Sequence, residues 1–121
     1  MKIRIKGNSV RLRLSKPDVE ALSVQGNVEE QTQFLNTVFR YRLESREQEK
    51  MGADFVDNCI TVYIPQDFVK DWSTNNTVGL REAMPLDETG SLVLLVEKDF
   101  KCLDDTHEDQ ADKYDNPKQS C

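Results

Sequence analysis

Hydrophobic and basic residues alternate one for one at the start of the chain. Ile3 and Ile5 fall between Lys2, Arg4 and Lys6; after a Gly7-Asn8-Ser9 break, Val10, Leu12 and Leu14 alternate with Arg11 and Arg13. A period of two predicts two β-strands joined by a turn, with the aliphatic set against a core and the basic set on the opposite face. Ser15-Lys16-Pro17-Asp18 then reads as a helix start. Serine caps free amides, proline suits the first turn, and Asp18 faces the positive end of the helix dipole. Val19 and Leu22, with Ala21, supply a short apolar stripe, and Gly26 ends the helix.

A polar strand follows around Val28, Thr32 and Phe34, and then Val38–Glu44 alternates cleanly. Phe39, Tyr41 and Leu43 form its inward set; Arg40, Arg42 and Glu44 form its outward set. Residues 45–52 are charged and read as a loop. The second half follows the same plan. Ile60, Val62 and Ile64 share one face of a strand, with Cys59, Thr61 and Tyr63 on the other. Pro65 opens a second short helix running to Trp72, where Phe68 and Trp72 stand four residues apart. Val78 and Leu80 belong to a further strand, Asp87 to Gly90 to a turn, and the unbroken apolar run Leu92–Val96 to a central strand.

Laid over each other, the halves coincide with a period of fifty: Leu14 on Ile64, Val19 on Val69, Leu22 on Trp72 and Val28 on Val78. The fold expected is therefore α+β: one antiparallel sheet, strongly curved or closed into a barrel, built from a duplicated β-α-β-β unit, with two short helices packed on it. Residues 1–103 form the single α+β domain of this reading. Residues 104–121 form an acidic tail, in which six acids stand against Lys113 between Asp104 and Asp115.

The chain of 121 residues is long enough for one core without staples. No apolar run reaches the roughly 18 residues of a membrane span, and Arg4 interrupts any secretory apolar region, so neither a membrane nor an export route is expected. Three widely spaced cysteines, Cys59, Cys102 and Cys121, fit reduced thiols in a cytoplasm. The net charge of −6 is unevenly laid out. Residues 1–50 hold ten Lys/Arg against seven Asp/Glu, and residues 51–121 hold six against fifteen. Such a dipolar chain favours an anionic ligand or an intramolecular partner over duplex nucleic acid, which its total charge repels.

The basic strand face is the candidate site: Lys2, Arg4, Lys6, Arg11 and Arg13 on the first two strands, with Arg40, Arg42 and Arg81 alternating likewise on later ones. A sheet curled with this face inside makes a cationic groove for a phosphate-bearing small molecule or an acidic protein surface. A sheet curled the other way leaves an ordinary wet face. Catalytic residues, cofactors and metals are not expected. His107, the sole histidine, falls in the tail, and Cys102, His107 and Cys121 lack any zinc-site spacing.

A duplicated plan with charges inside a wide barrel resembles the triphosphate-tunnel enzymes, which implies a divalent-metal-dependent phosphohydrolase as an alternative function. Their opening Glu-x-Glu-x-Lys strand is here Lys2-Ile-Arg-Ile-Lys6, without its acids, and Glu44, Glu82, Glu97 and Asp99 are the carboxylates left to hold a cation. A protein-interaction module is the other alternative. The motifs Lys2-Ile-Arg-Ile-Lys-Gly-Asn-Ser-Val-Arg-Leu-Arg-Leu14, Leu95-Val-Glu-Lys-Asp-Phe-Lys-Cys-Leu103 and Asp115-Asn-Pro117 are similar to those of a family of small uncharacterised bacterial proteins, a domain of unknown function. That resemblance implies a stand-alone bacterial cytoplasmic protein whose domain includes Cys102 and the Asp-Asn-Pro tail. The expected function is a non-catalytic module that binds an anionic ligand or acidic partner through the basic strand face.

Overall fold

A computed structural model describes residues 1–88 and 90–100. The expectations for Cys102, His107, Cys121 and the 104–121 tail lie outside these residues. Eight strands and two helices run in the order β1 (Lys2–Lys6), β2 (Ser9–Leu14), α1 (Lys16–Gln25), β3 (Asn27–Gln33), β4 (Val38–Arg46), β5 (Gly52–Val56), β6 (Cys59–Pro65), α2 (Gln66–Val69), β7 (Gly79–Leu86) and β8 (Gly90–Lys98). The class is α+β. Each half reads β-β-α-β-β, one strand more than the expected unit, because β5 lies in a segment whose alternation (Ala53, Phe55) is too short to stand out.

The single antiparallel sheet is corrected to two four-stranded mixed sheets, ordered β1-β2-β8-β7 (sheet A) and β3-β4-β6-β5 (sheet B). Each sheet takes one hairpin from each half. The hairpins are antiparallel, and the central joins are parallel: β2 beside β8, with Ser9 opposite Val93, and β4 beside β6, with Arg40 opposite Cys59. The ladders do not close into a barrel. Between β1 and β3 the Met1 amine donates to Glu30 at 2.8 Å, and between β5 and β7 the Met51 amide donates to Glu82 at 3.0 Å. These equivalent carboxylates tie the sheet edges together by side chains.

The inner faces of both sheets meet in one core. Leu12, Leu14, Leu43, Val62, Ile64, Leu94 and Val96 cluster there with Val19 and Leu22 of α1, Val69 of α2, and Trp72. Fully burying a Leu or Val side chain stabilises by about 1.5–3 kcal/mol, so this cluster is the main favourable term in the fold. α1 packs against β2, β3 and β4, and α2 against β4 and β6.

The start of α1 follows the sequence closely. The Ser15 hydroxyl accepts from the Asp18 amide at 3.4 Å, and the Ser15 amide donates to the Asp18 carboxylate at 3.0 Å, a reciprocal capping box. Asp18 also accepts from the Met1 amine at 2.9 Å. At the other end Gly26 takes φ 85°, and its amide closes on the Leu22 carbonyl. The second helix is shorter than expected. It spans Gln66–Val69 and relaxes into turns, with the Trp72 amide bonded to Val69 O at 3.1 Å. The Trp72 ring is nonetheless fully buried, 5.2 Å from Phe68, and its indole N–H donates to Thr77 O at 2.8 Å.

Three of the four coincidences at a period of fifty join equivalent core positions: Leu14 with Ile64, Val19 with Val69, and Leu22 with Trp72. The fourth is corrected. The path from α2 to β7 is longer, so Leu80 is the inner-face counterpart of Val28, and Val78 precedes its strand and is exposed. Phe34 likewise lies beyond the end of β3 and is exposed. Among the described residues no helix is long and apolar enough to cross a membrane.

Candidate anion-binding face

The outward face of sheet A is set by register. A two-residue turn at Gly7-Asn8 closes β1 onto β2 with Lys6 opposite Ser9, whose hydroxyl donates to Lys6 O at 2.7 Å. The Asn8 side-chain amide donates to Ser91 O at 2.8 Å, and the Val93 amide donates to Asn8 O at 3.0 Å. The turn thereby fixes where β8 starts beside β2. At the far end the Asp99 amide donates to Leu14 O, and the Lys98 amide to Val78 O, both at 2.8 Å. Gly79 allows the last approach: a Cβ there would stand 2.1 Å from Val96 O, so any side chain would push β7 off β8.

These pairings lay the outward residues in rows across the sheet. One row is Lys2, Arg13, Glu97 and Gly79; the next is Arg4, Arg11, Leu95 and Arg81; the third is Lys6, Ser9, Val93 and Ala83. Strands about 4.8 Å apart put Arg4 roughly 14 Å from Arg81, with successive rows about 7 Å apart. Six of the eight candidate cations therefore share one face, over a floor of Val93 and Leu95. The Leu92–Val96 run hides that floor in the sequence, because an unbroken apolar stretch does not say which residues face the core.

Arg40 and Arg42 lie on sheet B, whose outward rows are Asn27-Glu44-Tyr63-Gly52, Glu29-Arg42-Thr61-Asp54 and Gln31-Arg40-Cys59-Val56. Sheet B balances its charges. Arg42 bonds Glu44 at 2.9 Å and stands 3.7 Å from Glu29; Arg40 stands 3.9 Å from Glu29; Arg46 bonds Glu44 at 2.5 Å and covers the Tyr63 ring. The Tyr63 hydroxyl donates to Asp54. The Arg46 hydrogen bond, against the cost of burial and with the charges of Arg46 and Arg42, holds Glu44 below the ordinary carboxylate value. The outward cations Arg40, Arg42 and Arg46 thus face an equal number of carboxylates: Glu29, Glu44 and Asp54.

Sheet A does not balance. Arg11 and Arg13 share one oxygen of Glu97, each at 3.3 Å, and Lys2 pairs with Asp99 at 3.0 Å. Arg4, Lys6 and Arg81 are exposed and form no ion pair among the described residues. Among the described residues, six outward cations meet two carboxylates. The face is open rather than tunnel-like, since the space between the sheets is filled by the aliphatic core. Clefts of about 470 and 560 Å³ open elsewhere, around Lys16 and Asn75 and around Ser45 and Asp67.

The four carboxylates expected for a cation do not converge. Glu82 points inward to the Met51 amide, Glu44 is on sheet B, and Glu97 and Asp99 pair with basic residues on sheet A. Among the described residues no group of three or more His, Cys, Asp or Glu is placed to hold a metal ion. Cys59 is a free, half-buried thiol beside Thr61.

No curated protein and no solved structure gives a match to the chain. A family model described as a family of unknown function, DUF7009, matches residues 1–118, beyond the Asp115-Asn-Pro117 motif, and the chain belongs to that family.

Proposed function

We propose that this protein is a non-catalytic binding module whose outward sheet A face holds an extended acidic partner. One observation carries the reading: two faces built on the same β-β-α-β-β plan differ in charge balance. Sheet B pairs its arginines internally, whereas sheet A leaves Arg4, Lys6 and Arg81 without a partner carboxylate among the described residues. The spacing favours an extended partner over a compact anion. Cations spread over roughly 14 Å do not converge on one phosphate, while an extended acidic peptide repeats its same-side carboxylates about every 7 Å, the row spacing of the sheet. Arginine forks suit carboxylates and phosphates alike, and the Val93 and Leu95 floor adds apolar contact beneath them. A bacterial, cytoplasmic setting belongs to the same proposal, supported by the odd number of widely spaced cysteines.

An amide-resolved NMR titration with decaglutamate at low salt tests it. Shifts are expected in the Arg4, Arg11, Val93, Leu95 and Arg81 rows, weakening as salt rises. No shift, or shifts centred on Arg40, Arg42 and Thr61 of sheet B, would overturn the reading.

A further inference from the structure

We infer that the chain's own acidic segment, Asp104–Asp115, docks on the outward face of sheet A and competes with the external partner; the inference rests on the binding reading above. Three observations carry it.

The first is where the segment leaves the sheet. β8 ends at Lys98 on the same rows that carry the cations, and Asp99 already pairs with Lys2 at 3.0 Å. The chain thus leaves β8 at the margin of the basic face, on the side of Lys2 and Arg13.

The second is reach. Asp104 follows Asp99 by five steps of the chain, about 17 Å when extended, while the Arg4-Arg11-Leu95-Arg81 row lies only about 13 Å back along β8. Twelve residues from Asp104 to Asp115 extend to about 40 Å, longer than the roughly 30 Å of the nine-residue strand they would cover.

The third is charge. The segment carries Asp104, Asp105, Glu108, Asp109, Asp112 and Asp115 against Lys113, and the face carries six cations against Glu97 and Asp99. The opposite face of the molecule, with its cations paired, offers no comparable attraction. The family match extends to residue 118, so this segment belongs to the unit that the family shares. Tethering a weak intramolecular ligand gives it an effective concentration near the millimolar range. A segment with an intrinsic Kd of about 0.1 mM then weakens an outside acidic ligand about tenfold.

The test keeps the full chain. In one variant Asp104, Asp105, Asp109, Asp112 and Asp115 become Asn and Glu108 becomes Gln. Binding of fluorescent decaglutamate is measured for this variant and the unaltered protein at low ionic strength, and their amide spectra are compared. Neutralising the segment is expected to tighten decaglutamate binding about tenfold and to shift the Arg4, Arg11, Leu95 and Arg81 amides while leaving sheet B in place. Equal affinities with both proteins binding would overturn the docking and leave the binding reading standing. If neither protein binds decaglutamate, the binding reading fails, and the spectra decide docking by themselves: shifts on the sheet A rows uphold it, and coincident spectra overturn it.

Discussion

Converting Arg4, Lys6 and Arg81 to Glu should abolish most of the affinity of this protein for an acidic peptide without disturbing its fold. These three are the safe choices because they are exposed and form no ion pair among the described residues, unlike Arg11 and Arg13, which converge on Glu97. A carboxylate about 5 Å from a cation in water gains about 0.8 kcal/mol, and salt at about 0.1 M reduces that to about 0.5 kcal/mol. Changing the sign turns attraction into equal repulsion, a swing of about 1 kcal/mol per site and about 3 kcal/mol for the three. The expected loss is therefore about 150-fold in Kd. The matched control is Arg40→Glu with Arg42→Glu on sheet B. Sheets packed about 10 Å apart put those charges more than a Debye length from a ligand on sheet A, so the control should change Kd by less than about twofold. Fluorescence anisotropy of labelled decaglutamate reads both, with circular dichroism confirming that each variant is folded. Similar losses for the two variants would mean that the ligand senses only total charge, and the assignment to one face would be refuted.

Stability should also depend on pH through the Met1 amine. Burial works against its charged form, but the hydrogen bonds to Glu30 and Asp18 and their charges outweigh that and raise its pKa above 8.0. This contribution is complete below pH 8.0 and should fade as pH rises through the folded value, and Nα-acetylation should remove the alkaline loss. Asp18 runs the other way: burial opposes its ionisation, yet bonds from the amine and from Ser15 hold it below 3.8, so its contribution is present above pH 3.8 and lost in stronger acid. Urea midpoints across pH 3–10 check both signs, and Glu30→Gln should cost about 1 kcal/mol at pH 7. Leu94→Ala, at a fully buried position, should lose 2–5 kcal/mol, read as a lower urea midpoint with unchanged slope. Gly79→Ala should destabilise by more than about 2 kcal/mol through the clash with Val96 O, and exchange protection of the β7 amides should fall first.

How much of this was legible in the sequence follows from what alternation can encode. The Ser15–Gly26 helix and the inner set Val10, Leu12 and Leu14 with its counterparts Val62 and Ile64 depend on local spacing, and the structure carries them as read, whereas the repeat gains a strand in each half. Pairing partners are not local. An alternating strand looks the same in a parallel or an antiparallel ladder, so nothing in Ser9–Leu14 announces β8 on its flank more than eighty residues later. For the same reason Arg40 and Arg42 could be placed on the outward side of their strand but not assigned to a sheet. β5 is hard to read because its alternating pair is brief and follows a charged loop, and only Ala53 of that pair packs on the core while Phe55 is exposed. The inward carboxylates Glu30 and Glu82 were hidden because their use depends on backbone donors at Met1 and Met51, which only the folded chain brings near.

The exchange of hairpins between the two halves has a consequence for how the protein comes to be. Since β2 finds β8 and β4 finds β6, neither half can complete a sheet alone, and ribosomal release of the first fifty residues leaves two hairpins with open flanks. Sheet B can close once β6 is out at Pro65, but the β1-β2 hairpin must wait for β8, the last strand. Such long-range pairing favours slow folding and a need for protection while the chain is unfinished. The same exchange relates the halves by a pseudo-two-fold pattern, each lending its first hairpin to one sheet and its second to the other.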